Sequence, residues 1–258
     1  MNTSAQPKKT SAAIMNIRIR FSGNSEQSTE AKIEKLSNVF NLAAPAIVRN
    51  GGTLTCVAEE GIVAIFENSA ESALRGALDV FQDFSAVAAP EQISALSVGI
   101  HTGTVYLARM SYQNFSVPVA ISEGLYVARK LSTAAEKYDA KIMMTQTAHD
   151  RVRSCDTRYN CRKLGVVYLN HYGREETVYD LFDSDPTNLK YRKKRSKLVF
   201  ETGVNLFLKG EYHQSRNYFI ELLKYDRNDR TAKEYIFMCD RALSGETGEP
   251  ADRCLEIW

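Results

Sequence analysis

Early in the chain the spacing of apolar residues changes from alternation to a helical period and back, which restricts the fold to one that mixes strands and helices. Ile14–Phe21 (IMNIRIRF) alternates apolar and polar side chains, as a half-buried strand does. Ala31–Val48 then carries apolar residues at helical spacing, and Gly51 follows as a helix stop. Thr53–Val57 and Gly61–Phe66 are two short apolar runs with a brief turn between them, which indicates an antiparallel hairpin. We therefore predict a strand, a helix and a hairpin in that order.

The same patterns continue as far as Phe182 and extend the prediction to a complete domain. Helices are predicted at Ala70–Phe84, Ser122–Tyr138 and Gln146–Arg153. Strands are predicted at Ser94–His101, Thr104–Ala108, Ala140–Thr145, Leu164–Leu169 and Thr177–Phe182. Hairpins mixed with helical crossovers favour an α+β fold whose central sheet is largely antiparallel and flanked by helices.

The composition changes after Asp185, and the remaining sequence indicates a small all-helical segment. Residues 186–197 contain the run KYRKKRSK, which we interpret as a basic linker that forms a solvated hinge. An anion-binding patch is the alternative, but the formal net charge of the whole chain is only +2. Residues 198–243 show only helical patterns, and their order of small and large residues resembles a tetratricopeptide helix pair. The residues in this order are Gly203, Leu206, Gly210, Tyr212, Ser215, Phe219 and Leu222.

A single helix pair of this kind cannot bury its own apolar face, so it has to pack against another structure. We expect a third helix at about Arg230–Leu243 and a mostly polar tail over residues 244–258. Two roles stay open for these helices. They cap the preceding domain, or they capture a protein partner.

Composition and charge argue against several classes of protein. Charged residues make up 25% and hydrophobic residues 44% of the chain, so an ordinary buried core can form. The net charge of +2 gives no reason to expect a nucleic-acid or membrane partner. No apolar run approaches the ~18 residues that span a bilayer, and the five cysteines lack the spacing of a disulfide framework or a metal site. We therefore expect a cytoplasmic protein with reduced thiols, whose residues 1–13 form a disordered tail.

Four stretches resemble the catalytic domain of class III adenylate and guanylate cyclases. Val98–Gly103 (VGIHTG) is similar to the family's I-G-I-H-x-G, and Glu59–Phe66 (EEGIVAIF) is similar to its G-D-G-x-x-A-x-F hairpin. Tyr172–Leu181 (YGREETVYDL) is similar to the closing K-G-x-x-x-x-V-Y-x-L strand, and Ala135–Ile142 (AEKYDAKI) to the A-x-x-Y-G-A-x-I step. The resemblance implies a cyclase-like domain with a ferredoxin-like core over residues 14–185.

The family's reaction uses two divalent ions held between two carboxylates, and this sequence has lost one of the two acids. The first-strand aspartate position falls on Asn16 or a neighbour, and no acid occurs between Met1 and Gly23. A neutral amide offers a dication one oxygen and no charge. The second position is Glu60, an acid that is one methylene longer than aspartate. The resemblance therefore implies a weak metal site at most, with Mg²⁺ or Mn²⁺ bound only if a nucleotide is bound.

Other positions at which the resemblance implies catalytic residues are also altered. The base-reading lysine is replaced by Cys56, and the transition-state asparagine is replaced by Tyr126. The phosphate-binding arginine becomes Lys130, or shifts by one position to Arg129, and a lysine is a point charge rather than a bidentate fork. A glycine that lets the substrate approach the backbone is Ala108. Together these changes predict a degenerate active site.

Three functions stay open at this stage. The first is a pseudoenzyme that regulates or completes a competent chain, because the family works as head-to-tail dimers with composite sites. The second is an active adenylate or guanylate cyclase in a heterodimer whose partner supplies the aspartates beside Lys130. The third is a nucleotide-binding sensor that holds phosphate with Lys130 and Arg129. In each case we expect a homodimer, or a heterodimer with a cyclase-domain protein, and Val105–Leu107 is an apolar run that a monomer would leave partly exposed unless it is a core strand.

Overall fold

The computed structural model of the protein describes residues 6–21, 29–58, 61–67, 69–86, 93–246 and 254–257. The chain divides into two compact units, the first made of Met1–Thr133 with Thr147–Arg153 and the second of Ala134–Gln146 with Ser154–Trp258. This division differs from the expected one, because the last strands of the cyclase-like stretch share a unit with the C-terminal helices. The predicted α+β fold class is confirmed.

The sheet of the first unit is antiparallel. Its strands are β1 (Lys8–Phe21), β2 (Thr53–Ala58), β3 (Gly61–Glu67), β4 (Ile93–Tyr112) and β5 (Phe115–Ile121). The strand order is β2-β3-β1-β4, and β5 pairs with β4. The predicted hairpin is confirmed as β2–β3. The strands predicted at Ser94–His101 and Thr104–Ala108 are one strand, because β4 pairs with β1 through the Thr102-Gly103 step without interruption.

Helices lie on both faces of this sheet: α1 (Thr29–Arg49), α2 (Ala70–Ala86) and α3 (Glu123–Ala135). α2 lies on the face that carries Ala13, because Gly76 of α2 approaches the ring of Phe66, the residue opposite Ala13 in β3. α3 lies on the other face, since Ile14 and Ala128 belong to one buried apolar cluster. Adjacent residues of β1 therefore face different helices.

In its described residues, the second unit combines three strands with the C-terminal helices. β6 (Ile142–Thr145), β8 (Arg174–Leu181) and β7 (Cys161–Leu169) pair antiparallel in that order. The short helices α4 (Gln146–His149) and α5 (Cys155–Arg158) lie between β6 and β7 in the chain. The later helices are α6 (Thr187–Leu208), α7 (Tyr212–Tyr225) and α8 (Arg230–Leu243). Across the described ranges, none of the helices is long and apolar enough to cross a bilayer.

The three C-terminal helices pack through a cluster of aromatic rings. The rings of Phe219 and Tyr235 stack with centroids 4.7 Å apart, and Phe200 meets Phe219 edge-on at 5.6 Å. A Cβ at Gly203 would lie 2.9 Å from the Phe219 ring, so this ring position requires a glycine beneath it. The Tyr235 hydroxyl donates to the Leu164 carbonyl of β7 at 2.8 Å, which ties the helices to the sheet of the same unit.

A buried charge cluster, made of Arg162, Asp180, Asp185, Lys193 and Asp229, also joins the strands of this unit to its helices. Arg162 of β7 contacts Asp180 at 3.3 Å and Asp229 at 2.8 Å. The Lys193 ammonium of α6 lies 2.7 Å from carboxylate oxygens of both Asp180 and Asp185. Asp229 also caps α8 by accepting from the Ala232 amide at 2.9 Å. Charges buried so deeply are retained because each one has an opposite charge in contact.

Three boundaries predicted from the sequence are wrong. The expected disordered tail over residues 1–13 includes the start of β1, which begins at Lys8. The expected basic linker over 186–197 is the first half of α6, and its Lys193 is buried rather than solvated. The expected tail over 244–258 returns to the second unit, where the Leu255 amide donates to the Val166 carbonyl at 2.7 Å. In each case local polarity suggested solvent, whereas pairing with distant residues satisfies the polar groups.

Candidate active site

Asn16, where the resemblance places the first-strand aspartate of the family, is buried against α3. Its side chain is 8% exposed. Its Oδ1 atom accepts a hydrogen bond of 2.7 Å from the hydroxyl of Ser132, which lies near the end of α3. A buried amide oxygen needs a donor of this kind, because an unpaired one is costly. Asn16 thus links the central strand to the helix above it.

A second predicted position lies in the same row of residues as Asn16. Asn16 is opposite Val63 in β3, and Val63 is opposite Cys56 in β2. Residues directly opposite one another on neighbouring strands point to the same face. Cys56 and Asn16 are therefore on one face and two strands apart, roughly 10 Å by normal strand spacing. Cys56 is exposed, whereas Asn16 is covered.

Two glycines allow α3 to lie this close to the sheet. A Cβ at Gly99, the β4 residue opposite Asn16, would lie 2.0 Å from the Ala128 carbonyl oxygen. A Cβ at Gly124, in the first turn of α3, would lie 2.6 Å from a ring carbon of His101. His101 is itself buried, and its Nδ1 lies 3.4 Å from the Thr147 hydroxyl. The VGIHTG motif therefore provides the backbone and packing that position α3.

The candidate phosphate-binding residues are all carried by α3. The Lys130 ammonium lies 5.4 Å from the centre of the Tyr126 ring, one helical turn earlier. This is the distance of a cation–π contact. Both side chains are half-buried, and Arg129 is exposed. In the single chain, the charge of Lys130 is therefore directed at Tyr126.

The β4–β5 hairpin presents an exposed apolar face. The residues that form its cross-strand pairs are Tyr106 with Ile121, Ala108 with Val119, and Met110 with Val117. Met110 is 60% exposed, Ile121 65% and Phe115, near the hairpin tip, 67%. Of the run Val105–Leu107, only Tyr106 belongs to this face, because Val105 is fully buried and Leu107 packs against the core. Val105 and Leu107 are therefore core residues, and Tyr106 is the exposed residue of the run.

The described residues do not fit a pair of divalent ions. Within the ranges that the structure covers, no group of three or more His, Cys, Asp or Glu side chains is arranged so that it could hold a metal ion. The Asn16 oxygen already accepts from Ser132. Arg18, two residues along on the same face, places a positive charge nearby, with its Nη1 atom 3.5 Å from the Thr133 carbonyl. Glu60, the other predicted ligand, lies outside the described residues. No metal-dependent step follows from these side chains.

The architecture is that of adenylyl and guanylyl cyclase catalytic domains. A bacterial light-regulated adenylyl cyclase matches with a TM-score of 0.59 and 12% identity, over 74% of this chain and 58% of that one. The adenylyl cyclase CyaB from P. aeruginosa matches with a TM-score of 0.53 and 17% identity, over 69% of this chain and 97% of that one. A dimeric, non-canonical guanylyl cyclase domain from Blastocladiella emersonii matches with a TM-score of 0.52 and 13% identity, over 67% and 98% of the two chains. At these identities the likeness shows a shared fold.

The sequence is also similar to a curated protein, the terminal-differentiation-specific adenylate cyclase of Dictyostelium discoideum. The two are 22% identical over 215 residues, which is 80% of this chain and 10% of the relative. The chain therefore spans about a tenth of the length of that relative. No family model matches the sequence.

Sequence reasoning did not single out Ser132. The available signal was a serine on the buried stripe of α3, whose other members include Val127, Ala128 and Leu131. A hydroxyl on a buried apolar stripe indicates a polar partner on the surface against which the helix packs. Identifying that partner as Asn16 required the register of β1.

Proposed function

We propose that this chain is a catalytically degenerate relative of class III cyclases that acts as a regulatory or structural partner in cyclic-nucleotide signalling. The observation that carries the proposal is the hydrogen bond from Ser132 to Asn16. A carboxylate that binds catalytic ions has to be charged and open to the substrate. The side chain at this position is uncharged, buried and occupied by a hydroxyl from its own chain.

The residues expected at the other altered positions would stabilise the same transition state, so the costs of losing them add to one another. Loss of one group that stabilises developing charge costs about 3–4 kcal/mol. Asn16, Cys56 and Tyr126 each lack the chemistry expected at their position, and Lys130 offers a point charge instead of a fork. Several such losses bring a rate close to background, because enzymes lower barriers by only about 8–23 kcal/mol in most cases.

The exposed face of the β4–β5 hairpin supports pairing with a second domain of the same fold. Its apolar pairs run from Tyr106 and Ile121 towards Phe115, with little polar interruption. Contiguous apolar surface of this kind is typical of an interaction site. A matching guanylyl cyclase domain is described as dimeric. We propose that a cyclase-domain protein, either a second copy or a homologue, covers this face.

The experiment is a mixing assay in which the purified chain is added to candidate cyclase-domain proteins and cyclic AMP and cyclic GMP are measured. We expect the chain to change a partner's rate, and Met110→Asp to remove that effect. Ser111→Asp is the matched control, because Ser111 is also exposed in β4 but points to the opposite, polar side of the hairpin. An effect that survives Met110→Asp, or no effect on any partner, would contradict the proposed pairing.

A second candidate, an active heterodimer, is favoured by the cations retained on α3. In it, Lys130 and Arg129 contribute phosphate contacts to a composite site whose aspartates and Mg²⁺ or Mn²⁺ come from the partner. The double variant Lys130→Met with Arg129→Met separates the candidates. A stimulated rate that falls in this variant while association is intact identifies a catalytic contribution. A stimulated rate that persists identifies a structural one. Binding of ATP or GTP to the chain alone, with no turnover, would instead support a nucleotide sensor.

A further inference from the structure

A pocket of ≈ 330 Å³ in the first unit lies on the face of the sheet opposite to Asn16. Ala13 and Thr102 are opposite one another on β1 and β4 and point towards α2, whereas Asn16 points towards α3. The residues that line the pocket are Ser11, Ala12, Ala13, Ser69, Ala70, Glu71, Thr102, Arg151 and Arg153. None of the positions expected to carry cyclase chemistry is among them.

The charged side chains of this pocket favour an anion. Arg151 and Arg153 both line it, and Glu71 is the acid among the lining residues, so two positive charges and one negative charge leave a net +1. Arg151 donates to the Ser11 hydroxyl, which fixes its guanidinium at the rim. Within the described part of the chain, Arg153 has no ion pair and is exposed. An arginine held at a pocket without an acid in contact is available to a bound oxyanion.

A buried hydroxyl in the same pocket has no partner. Thr102 is 4% exposed, and among the described residues its Oγ1 atom makes no hydrogen bond. Burying an unpaired hydroxyl is unfavourable, and such groups are rare in folded proteins. Thr102 lines the pocket from the sheet side, so a bound oxyanion would accept the hydrogen bond that the protein itself does not provide.

The start of α2 completes the pocket. Ser69 caps this 17-residue helix by accepting from the Ser72 amide at 3.0 Å, and Ser69, Ala70 and Glu71 all line the pocket. The first turn of a helix presents backbone N–H groups and the positive end of the helix dipole. Helix N-termini with a neighbouring arginine are a recurring way to hold phosphate groups.

We propose that this pocket binds a small oxyanion of the phosphate class, held by Arg153 and Arg151, the Thr102 hydroxyl and the first turn of α2. The site is separate from the face expected to carry cyclase chemistry. It therefore does not depend on whether the chain has catalytic activity. Its occupancy would link β1, β4 and α2, and so stabilise the first unit.

The test titrates inorganic phosphate into the full chain and follows the melting temperature and the heat of binding, with sodium chloride at matched ionic strength as the reference. We expect phosphate to raise the melting temperature in proportion to its concentration, and chloride not to. Arg153→Gln should weaken phosphate binding by about tenfold or more, because it removes a charge-assisted contact. Arg75→Gln is the matched control, since Arg75 is an exposed arginine of α2 that does not line the pocket, and it should leave binding unchanged.

Thr102→Val distinguishes a ligand-binding hydroxyl from a packing residue. Valine has nearly the same shape and removes the unpaired donor, so the variant should be at least as stable as the natural chain without phosphate. In the presence of phosphate, it should lose most of the stabilisation. The proposal is overturned if phosphate has no more effect than chloride, or if Arg153→Gln and Thr102→Val keep the full response. It is also overturned if Arg75→Gln loses the response equally, since binding is then a general charge effect.

Discussion

The Ser132 hydroxyl donates a 2.7 Å hydrogen bond to the side-chain oxygen of Asn16, joining α3 to the central strand β1. The contact satisfies a buried polar group of β1 with a hydroxyl from α3. It also depends on Gly99, because any side chain there would collide with the Ala128 carbonyl and lift α3 from the sheet. Asn16 therefore contributes to the packing of α3 on β1.

The first prediction concerns Ser132→Ala, which leaves the buried Asn16 oxygen without its donor. The free energy of unfolding should fall by about 1–3 kcal/mol. Hydrogen exchange of amides in β1 and α3 should accelerate, and this is the measurement that localises the effect to the first unit. Ser111→Ala, at an exposed hairpin position, should stay within about 0.5 kcal/mol of the natural chain. Equal effects of the two changes would show that the Ser132 contact is not stabilising.

The second prediction concerns Lys193, whose ammonium compensates Asp180 and Asp185. Lys193→Met should destabilise the second unit by about 3–5 kcal/mol, because it leaves buried carboxylates unpaired. Lys194→Met is the adjacent control on the exposed side of α6 and should change stability by less than about 0.5 kcal/mol.

Truncation after Asp185 extends this prediction to the whole helical segment. Removing Lys193 and Asp229 leaves Arg162 with only one of its two acids, and removing Tyr235 takes away the donor to the Leu164 carbonyl of β7. We expect the shortened chain to aggregate or to melt at a much lower temperature, as a structural cap requires. A shortened chain that stays soluble with an unchanged melting temperature would contradict this, and loss of a protein partner alone would identify a recruitment segment.

The third prediction is a pH dependence that originates at Asp229. Burial raises the pKa of this carboxyl, but Arg162, the Ala232 amide and Lys193 outweigh burial and hold its pKa below the usual 3.8. Because the pKa of Asp229 is lower in the folded chain than in the unfolded chain, the ionised carboxylate stabilises the folded state at pH values above about 3.8. This stabilisation is lost as the pH falls below about 3.8. Asp229→Asn keeps a helix-capping side chain but should flatten the fall in unfolding free energy over that range.

Asp185 provides an internal contrast for this measurement. Burial raises its pKa, and Asp180 adds to the increase, despite the opposing charge of Lys193. A raised carboxyl pKa means that protonation relieves a penalty, so acidification from neutral pH favours the folded state at this site. Asp185→Asn should therefore steepen the net loss of stability on acidification. If Asp229→Asn and Asp185→Asn change the loss of unfolding free energy on acidification in the same direction, the assigned charge contacts are contradicted.

Much of the fold was predictable because local patterns and long-range contacts agree. The alternation in Ile14–Phe21 identified the central strand β1. The two short apolar runs after Gly51 were predicted to pair as an antiparallel hairpin, and β2 and β3 pair in this way. The third C-terminal helix has the predicted bounds, Arg230–Leu243. β5 was not predicted, because Pro118 and Ser116 weaken its strand pattern; among the described strands it pairs with β4 alone.

The features that were mispredicted depend on partners that are distant in sequence. Lys193 appears in a run of basic residues and was assigned to solvent, although three groups of the second unit surround its ammonium. Leu255 appears in a polar tail, yet it pairs with Val167 of β7. For the candidate site, the family resemblance pointed to Asn16 or a neighbour, but the Ser132 donor lies 116 residues away and only the packing of α3 on β1 joins the two.

The fourth prediction concerns association through the β4–β5 hairpin. Met110 is exposed within the apolar face, so Met110→Asp should weaken self-association or pairing with a cyclase-domain protein without loss of folding. Sedimentation velocity over a range of concentrations measures this directly. Ser111→Asp should leave the sedimentation profile unchanged. The prediction is contradicted if the natural chain remains monomeric at high micromolar concentration and binds no cyclase-domain protein.

The central claim is that this chain alone does not cyclise nucleotides. It is tested most directly by incubating the pure chain with ATP or GTP and Mn²⁺ and quantifying cyclic AMP and cyclic GMP by mass spectrometry. We predict no product above the uncatalysed background, both for the natural chain and for Asn16→Asp, because Cys56, Tyr126 and Ala108 remain altered in that variant. Metal-dependent product from the natural chain, or its appearance after Asn16→Asp alone, would contradict the account.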